Sequence, residues 1–403
     1  MDREKTIYDS KLYIEDLHTA AQHTLGIEKL RGMSVLVTGA SGTIGSFIVD
    51  ELCEYGEIHV IACGRNTEKL QKRFSRFAGA GYLKFCSLDI LDDSSFDKLP
   101  DEHVDYIIHA AGNAFPSAFI DHSDETVRGN ICGTARLLEY GRSHGCQKFV
   151  YVSSGEVYSL DEEDRKSWAD KWNMAISGSG SEDALIDEFL DEPVLDSDSP
   201  SESKPYDPVR IYMQLVQNEV TQRGPRSCYP VSKAAAEAMC LSHINTVVVR
   251  PCHTFGPGIT GSDDRAHVQF AKKAVAGEDI VLNSAGTQLR SYNYVADAAS
   301  GIVSAMLSGE LGAMRDKEFE PQNRVFDICS RENEITIKGL AELIASVTGV
   351  NVLVKEADAR EKSLQSPINK QILDPANLEK IGWKKAFDLN TGVEHFVEII
   401  NMY

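Results

Sequence analysis

The sequence predicts an α/β fold, a doubly wound parallel sheet with helices on both faces. Short and almost wholly apolar segments alternate with stretches of helical periodicity from residue 34 to residue 154. Strands that are buried on both faces are apolar along their whole length, as these segments are. The first of them also ends in a glycine-rich turn that leads into a helix. These observations favour a parallel sheet over an antiparallel one.

The elements are predicted in chain order. Residues 1–32 form a helical extension, because Ile14, Leu17, Ala21 and Leu25 recur at helical spacing. The predicted strands that follow lie at 35–39, 58–63, 82–89, 104–112 and 148–154, and the clearest helices between them lie at 43–55 and 123–144. A helix at 229–243 and a strand at 246–251 complete the first domain. We predict its bounds as 33–250.

An acidic insertion at 159–228 interrupts this alternation. Residues 159–204 carry 14 acidic and 4 basic side chains, so their net charge of −10 is half of the chain's −20. A short helical pattern, Leu185, Ile186, Phe189 and Leu190, lies among Ser, Asp and Pro. The segment is interpreted as a solvated, mobile surface excursion, with a lid or a docking element as the alternative.

Residues 251–403 are predicted to form mainly a smaller C-terminal α/β domain that binds substrate, with some segments returning to the first domain. Residues 335–348 form an amphipathic helix and residues 351–355 a short strand. In doubly wound folds the ligand binds at the carboxyl ends of the strands. We expect the C-terminal domain to close over that edge.

Composition excludes several classes of function. The chain has 403 residues, of which 42% are hydrophobic and 25% charged, as in ordinary globular proteins. Its charge of −20 argues against nucleic acid or an anionic membrane as partner. The start is too polar for a signal peptide and no apolar stretch approaches the roughly 20 residues of a membrane span, so a cytoplasmic location is expected. The nine cysteines occur singly and are interpreted as core residues, and no metal site is predicted.

The glycine-rich turn predicts a dinucleotide site. Its backbone N–H groups and the following helix N-terminus would face a pyrophosphate. The residues predicted to form this part of the site are Gly39, Ser41, Gly42, Thr43, Ile44 and Gly45.

The ends of the next strands predict the rest of the cofactor site. Arg65 follows Gly64 where an acidic residue usually binds the ribose of NAD, and its guanidinium suits the 2′-phosphate of NADP. Small side chains after the fourth strand let a cofactor lie against the backbone, while Asp89 either flanks the adenine or caps a helix. The residues concerned are Asp89, Ile90, Ala110, Ala111 and Gly112.

Three residues predict a catalytic site. Tyr229 and Lys233 are one helical turn apart, so the two side chains share a face. We predict that the ammonium lowers the pKa of the phenol, which then accepts a hydroxyl proton while hydride leaves for a nicotinamide. Ser154, at the end of the fifth strand, would hydrogen-bond the reacting oxygen.

These motifs resemble the extended short-chain dehydrogenase/reductases, in the branch of nucleotide-sugar epimerases, dehydratases and decarboxylases. The resemblance covers about residues 33–400. It is carried by TGASGTIG, HAAGN, NICGTARLL, VSSGEVY, YPVSK, RPCHTFGPG, AGTQLRSYNYVADAASGI and LEKIGWKKAFDLNTGVEHFVEII, in that order. It implies a Rossmann-type fold, a nucleotide-sugar substrate and a homodimer through two helices beside the sheet.

The resemblance also assigns roles. Ser154, Tyr229 and Lys233 are implied as the catalytic triad, Asn130 as structural support, and Arg290 as a contact to the diphosphate or a sugar acid group. His253 and Arg265 are further predicted substrate contacts. His253 stands where related enzymes commonly have Asn, and Gly258 where decarboxylases often have Arg, so nucleotide and sugar contacts differ in part.

The reaction depends on Glu156. All members of this branch first oxidise the sugar C4 hydroxyl to a ketone, and dehydratases and uronate decarboxylases resemble this chain in having Glu two residues after the catalytic Ser or Thr. Gly155 departs from them, because many 4,6-dehydratases have Asp there and decarboxylases have Ser. Decarboxylation of the UDP-glucuronate type is favoured. The alternatives are 4,6-dehydration and epimerisation, then a net sugar reductase, and, in another class, a degenerate nucleotide-binding scaffold.

The cofactor prediction combines two arguments that disagree. Local chemistry at Arg65 favours NADP, whereas redox-neutral relatives mostly retain NAD. A hydride that returns within one turnover needs no NADPH pool. We therefore predict NAD, with NADP as the alternative.

Overall fold

A computed structural model of the protein describes residues 5–177, 207–243, 245–261, 263–308, 321–356 and 368–403. Its centre is a seven-stranded, wholly parallel sheet in the order β10-β6-β5-β4-β1-β2-β3. These strands are β1 Ser34–Thr38, β2 His59–Gly64, β3 Leu83–Ser87, β4 Tyr106–His109, β5 Lys148–Val152, β6 Thr246–Pro251 and β10 Val325–Ile328. The predicted doubly wound α/β fold is confirmed.

The sheet divides the core in two. Val35 and Val37 of β1 face one apolar cluster and Leu36 between them faces the other, because successive side chains of a strand point to opposite faces. The helices of the described residues are α1 Lys11–His23, α2 Thr43–Tyr55, α3 Thr67–Arg73, α4 Pro116–Asp121, α5 Ser123–Arg128, α6 Thr134–Ser143, α7 Glu162–Ser177, α8 Pro208–Arg223, α9 Cys228–Leu241, α10 Ala266–Val275, α11 Val295–Leu307, α12 Ile337–Thr348, α13 Ala376–Lys380 and α14 Leu389–Met402.

Extra helices cover the helices that flank the sheet. On one face α1, the helix predicted in the N-terminal extension, packs on α2 and α11. On the other face α7 and α8 pack on α9. Where these contacts occur, each face of the sheet is covered by an inner and an outer layer of helices.

The described part of the acidic insertion is therefore not a solvated excursion. Trp168 and Trp172 of α7 and Tyr212 of α8 are buried in the apolar cluster that also contains residues of α9. Burying three large aromatic side chains removes several hundred Å² of apolar surface from water, at about 25 cal/mol per Å². The helical pattern predicted at 185–190 lies outside the described residues.

The predicted helix at 123–144 is interrupted. Its first turns form α5, residues Gly129–Gly133 form a π-helical turn, and α6 follows. A Cβ on Gly133 would lie 2.9 Å from Cβ of Ile90, so glycine allows this close approach. The π turn places the buried side chain of Asn130 toward α9, where its Nδ2 donates to Ser232 Oγ at 2.9 Å.

The C-terminal part adds smaller sheets. Strand β9 Leu289–Tyr294 pairs with β7 His253–Phe255, β11 Glu334–Thr336 and β13 Lys370–Gln371, and β8 Ile280–Leu282 pairs with β12 Val352–Val354. The helix predicted from residue 335 begins at Ile337, because the preceding residues pair with β9 and Thr336 caps the helix through Gly339 N. Strand β10 follows these smaller sheets in the chain's C-terminal part but pairs with β6 in the large sheet. The domain bounds given above stay a prediction. No helix of the described ranges is long and apolar enough to span a bilayer.

Candidate active site

The glycine loop after β1 has the geometry that a dinucleotide requires. Gly39 has φ +68°, and a Cβ there would lie 2.6 Å from the carbonyl oxygen of Ala110 at the end of β4. A Cβ on Gly45 would lie 2.3 Å from the carbonyl oxygen of Gly39. Gly42 is the N-cap of α2 and offers no side chain to its first N–H groups. This narrow, uncapped cradle fits a pyrophosphate.

The residues predicted around the adenosine lie at the ends of β2 and β3. Arg65 is exposed, and the next residue, Asn66, caps α3 by accepting Lys69 N at 2.8 Å. Asp89 accepts Leu91 N at 3.1 Å in a local turn. The predicted alternative, that Asp89 caps a helix, is wrong, because the following 3-10 helix begins at Asp93 and is capped by Asp92.

The structure brings together Ser154, Tyr229 and Lys233. Tyr229 is buried, stacks on Phe119 with ring centroids 4.4 Å apart, and shares a side-chain hydrogen bond with Ser154. Lys233 Nζ lies 5.8 Å from the centroid of the Tyr229 ring and donates to the carbonyl oxygen of Val152 at 2.9 Å. The end of β5 and the first turns of α9 thus position all three side chains.

The predicted lowering of the Tyr229 pKa by Lys233 is wrong in this structure. The pKa of Tyr229 is raised to about 12, chiefly by burial; the hydrogen bond with Ser154 and the charge of Arg265 oppose the rise, and the charge of Glu156 contributes to it. Burial lowers the pKa of Lys233 to about 8. The ammonium faces the Val152 carbonyl, and desolvation of the phenolate outweighs the favourable charges.

A group of guanidinium side chains surrounds Glu156. Burial raises the pKa of the Glu156 carboxyl, and the charges of Arg226 and Arg290 oppose that rise. Arg290 is buried and donates to the carbonyl oxygens of Leu289 and Ile368 at 2.9 and 2.5 Å, which fix its orientation. Arg226 Nη1 is buried and has no hydrogen-bond partner among the described residues.

Arg226 was not among the predicted site residues. It precedes Tyr229 by three positions, about one helical turn. This spacing could have indicated that its side chain lies near the phenol. Its guanidinium lies 5.8 Å from the ring centroid of Phe119, the residue on which Tyr229 stacks. Arg226 therefore belongs to the same group of side chains as the predicted triad.

The two other predicted substrate contacts occupy different surroundings. Arg265 forms a bidentate pair with Asp263, with Nη2 to Oδ2 at 2.5 Å, and lies 3.4 Å from Thr43 Oγ1 of the glycine loop. His253 is tilted against Tyr292 with centroids 5.3 Å apart. Burial, with Arg290 and Arg265 nearby, lowers the pKa of His253 to about 3, so the imidazole is neutral.

Gly155 lies against an apolar side chain. A Cβ at this position would lie 2.9 Å from both methyl carbons of Leu373, which packs with Cys252 and Cys329. The space beside position 155 is therefore filled by leucine.

The fold and this geometry define a Rossmann-like α/β protein with a glycine loop after β1 and with Ser154, Tyr229 and Lys233 brought together at the end of β5. The family model described as "NAD dependent epimerase/dehydratase family" matches residues 35–174 and 202–316, more than half of the chain. The chain belongs to this family.

Relatives within the family are distant. The chain is 24% identical over 280 residues to UDP-glucuronic acid decarboxylase 1 of Xenopus tropicalis, covering 68% of this chain and 53% of that protein. It is 21% identical over 366 residues to UDP-glucuronic acid decarboxylase 3 of Arabidopsis thaliana, covering 90% and 87%. The fold is similar to that of UDP-glucuronic acid 4-epimerase from Bacillus cereus, solved with UDP-glucuronic acid and NAD, at a TM-score of 0.62, 20% identity and coverage of 92% and 99%.

Proposed function

We propose that this protein modifies a nucleotide sugar by transient oxidation of the sugar C4 hydroxyl with bound NAD, and that the reaction is decarboxylation of a sugar acid of the UDP-glucuronate type. The observation that carries the proposal is the buried Nη1 of Arg226, a donor without a partner among the described residues, beside Glu156 and Arg290. A buried unpaired donor is costly unless a ligand supplies the acceptor.

The charge balance around Glu156 favours an anionic substrate. Arg226 and Arg290 each carry one positive charge and Glu156 one negative charge, whereas Arg265 is neutralised by Asp263. The group therefore has an excess of about one positive charge, which a carboxylate on the sugar would balance. A nucleotide sugar with a neutral hexose would offer only its diphosphate to these guanidinium groups.

The proposed roles of the triad follow from its contacts. Tyr229 accepts the proton of the C4 hydroxyl, and Ser154, hydrogen-bonded to Tyr229, orients the reacting oxygen. Lys233, on the same face of α9 as Tyr229 and held by the carbonyl oxygen of Val152, would contact the ribose of the cofactor. Bound NAD would supply the hydride acceptor for oxidation at C4 and the hydride donor for the final reduction. The glycine loop, with Arg65 and Asp89 near the adenosine, would hold it.

Decarboxylation suits a site with this composition. Oxidation at C4 would convert a uronic acid to a β-keto acid. Its C5–C6 bond then breaks with release of carbon dioxide, and the enolate left across C4 and C5 takes up a proton from solvent at C5. Glu156 lies beside the guanidinium groups that would hold the carboxylate. Position 155, where the resemblance places the acid of 4,6-dehydratases, is a glycine packed against Leu373 and supplies no such acid. The names of the relatives and the uronate in the B. cereus epimerase structure support the same substrate class.

Product analysis tests the reaction. The protein is incubated with UDP-, dTDP-, GDP- and CDP-sugars, including UDP-glucuronate and UDP-glucose, and the products are identified by mass spectrometry. We expect loss of carbon dioxide from UDP-glucuronate. Loss of water from a neutral sugar would instead identify a 4,6-dehydratase, and an unchanged mass at a new retention time an epimerase.

A single variant tests the role of Arg226. Arg226→Gln removes one charged donor to the substrate carboxylate, a loss of about 1.5–3 kcal/mol, or about 10- to 150-fold in kcat/KM for the sugar acid. Arg223→Gln on the exposed end of α8 is the control and should change kcat/KM little. Equal loss in both variants, or none at Arg226, would contradict the proposal.

Two further measurements separate the alternatives. Tyr229→Phe should abolish turnover while retaining nucleotide-sugar binding, whereas a scaffold protein would keep its cellular function. Binding of NAD and NADP, followed by calorimetry for wild type and Arg65→Ser, tests the cofactor. If wild type binds NADP more tightly than NAD and Arg65→Ser removes this preference, the assignment of NAD as the cofactor is wrong. Stoichiometric oxidation of NADPH during turnover would indicate a reductase.

A cytoplasmic location stays part of the proposal.

A further inference from the structure

Glu237 lies one helical turn after Lys233 on α9 and is buried. Its Oε1 accepts the hydroxyl of Ser153 at 2.5 Å. Ser153 directly precedes Ser154 of the candidate site. Lys233 also bonds this strand end, through the carbonyl oxygen of Val152. Two consecutive turns of α9 are therefore attached to consecutive residues at the end of β5.

Arg250 of β6 fixes the Glu237 carboxylate from the other side. Its Nε donates to Oε1 at 2.9 Å and its Nη2 to Oε2 at 2.5 Å, a bidentate pair. The remaining nitrogen, Nη1, donates to Tyr158 Oη at 2.8 Å, and Tyr158 donates to the carboxylate of Asp327 on β10. Tyr158 lies in the same 3-10 turn as Glu156. One network thus joins α9, β5, β6, β10 and this turn.

We propose that Glu237 is a positioning residue for the reaction, because its carboxylate, held by Arg250, sets the position of the Tyr229 and Lys233 helix relative to Ser154. The kinetic test of this inference rests on the proposed function, because it measures turnover of a nucleotide sugar. An error of about 1 Å in such an arrangement can reduce a rate about 100-fold.

The carboxylate also acts on Lys233 through its charge. Glu237 raises the pKa of Lys233, whereas burial lowers it to about 8. The other titratable groups that face Lys233 are His109 on β4, Tyr151 on β5, and Tyr229 and Cys240 on α9. His109 is buried and its pKa is lowered to about 3, so it stays neutral. Removal of the Glu237 charge should therefore lower the pKa of Lys233.

The test compares Glu237→Gln with a matched control. Asp50→Asn removes another buried carboxylate that is paired with an arginine, Arg73, at 2.6 Å, under the N-terminal extension on the opposite face of the sheet. Both variants lose a buried ion pair, so both should lose stability. Only one of the two pairs touches the end of β5 and the catalytic helix.

For Glu237→Gln we expect kcat to fall about 10- to 100-fold with KM for the nucleotide sugar changed less than about threefold. The basic limb of the kcat profile should move to lower pH, because Lys233 loses its proton earlier. Ser153→Ala should reduce kcat without moving that limb. Asp50→Asn should keep the wild-type kcat and profile. A wild-type kcat and pH profile in Glu237→Gln, or the same changes in Asp50→Asn, would overturn the proposal.

Hydrogen exchange separates failure of this inference from failure of the proposed function. We expect faster exchange in residues 148–159 and 228–241 of Glu237→Gln than in wild type, and wild-type exchange there in Asp50→Asn. This readout needs no substrate. Unchanged exchange in those segments would overturn the positioning role even when turnover is measured. Absence of turnover in the wild type, with the expected exchange, would contradict the proposed function alone.

Discussion

Substitution of Gly155 should reveal how tightly the site is packed against Leu373. An added Cβ would lie 2.9 Å from both leucine methyl carbons, closer than van der Waals contact, so the leucine must shift. Overpacking of this kind costs about 1–3 kcal/mol. Leu373→Ala empties a buried site and costs about 2–5 kcal/mol. Because the two changes relieve each other, the double variant should be more stable than their sum by about 1–2 kcal/mol.

The assay is equilibrium urea unfolding of wild type, the two single variants and the double variant, followed by tryptophan fluorescence. Leu70→Ala serves as the control partner for Gly155→Ala, because Leu70 is also buried but lies on α3. The changes in unfolding free energy of that pair should add within about 0.5 kcal/mol. Additivity of Gly155→Ala with Leu373→Ala would refute the packing argument.

Three other outcomes follow from the structure. Gly45→Ala should abolish NAD binding measured by calorimetry, because its Cβ would lie 2.3 Å from Gly39 O, while Gly81→Ala, with open space around it, should not. The hydrogen bond to Asp16 raises the pKa of His395, so their pairing stabilises the fold fully below the unfolded pKa of about 6.5 and is lost as pH rises through the folded pKa. The Tm of wild type should therefore exceed that of His395→Gln by less as pH rises. A difference in Tm that does not change with pH would contradict this prediction. Light scattering should give a monomer of 44.4 kDa, because α1 covers α2 and α11 and because α7 and α8 cover α9; twice that mass would support the homodimer that the resemblance implies.

The apolar strands made the central sheet predictable, whereas the insertion helices were not. In α7 the buried residues Trp168, Trp172 and Ala175 recur at helical spacing, but seven of the helix's 16 residues are charged, among them the first five. The acidic composition therefore indicated solvent exposure more strongly than the three apolar residues indicated a helix. The π turn at Gly129–Gly133 has no periodicity of its own, since it depends on the close approach of Ile90 to the glycines.

The site shows a similar division. Spacing placed Tyr229 and Lys233 on one face of a helix, and the structure brings Ser154 to them. Spacing could not give the partner of the ammonium, which is the carbonyl oxygen of Val152, nor the burial that raises the pKa of Tyr229. Electrostatics of this kind depends on which groups are desolvated together, and that is decided by tertiary packing.

The described part of the insertion directly contacts α9, the helix that carries Tyr229 and Lys233. Tyr212 of α8 donates its hydroxyl to the carbonyl oxygen of Ala235 at 2.9 Å, and the indole N–H of Trp172 donates to Ser242 Oγ at 3.0 Å. Both acceptors lie on or just beyond α9, two residues after Lys233 and at the helix end. The inner side of α9 is attached to β5 by Lys233 and Glu237. Because the helix is held from both sides, small displacements of Tyr229 are opposed by the insertion as well as by the sheet.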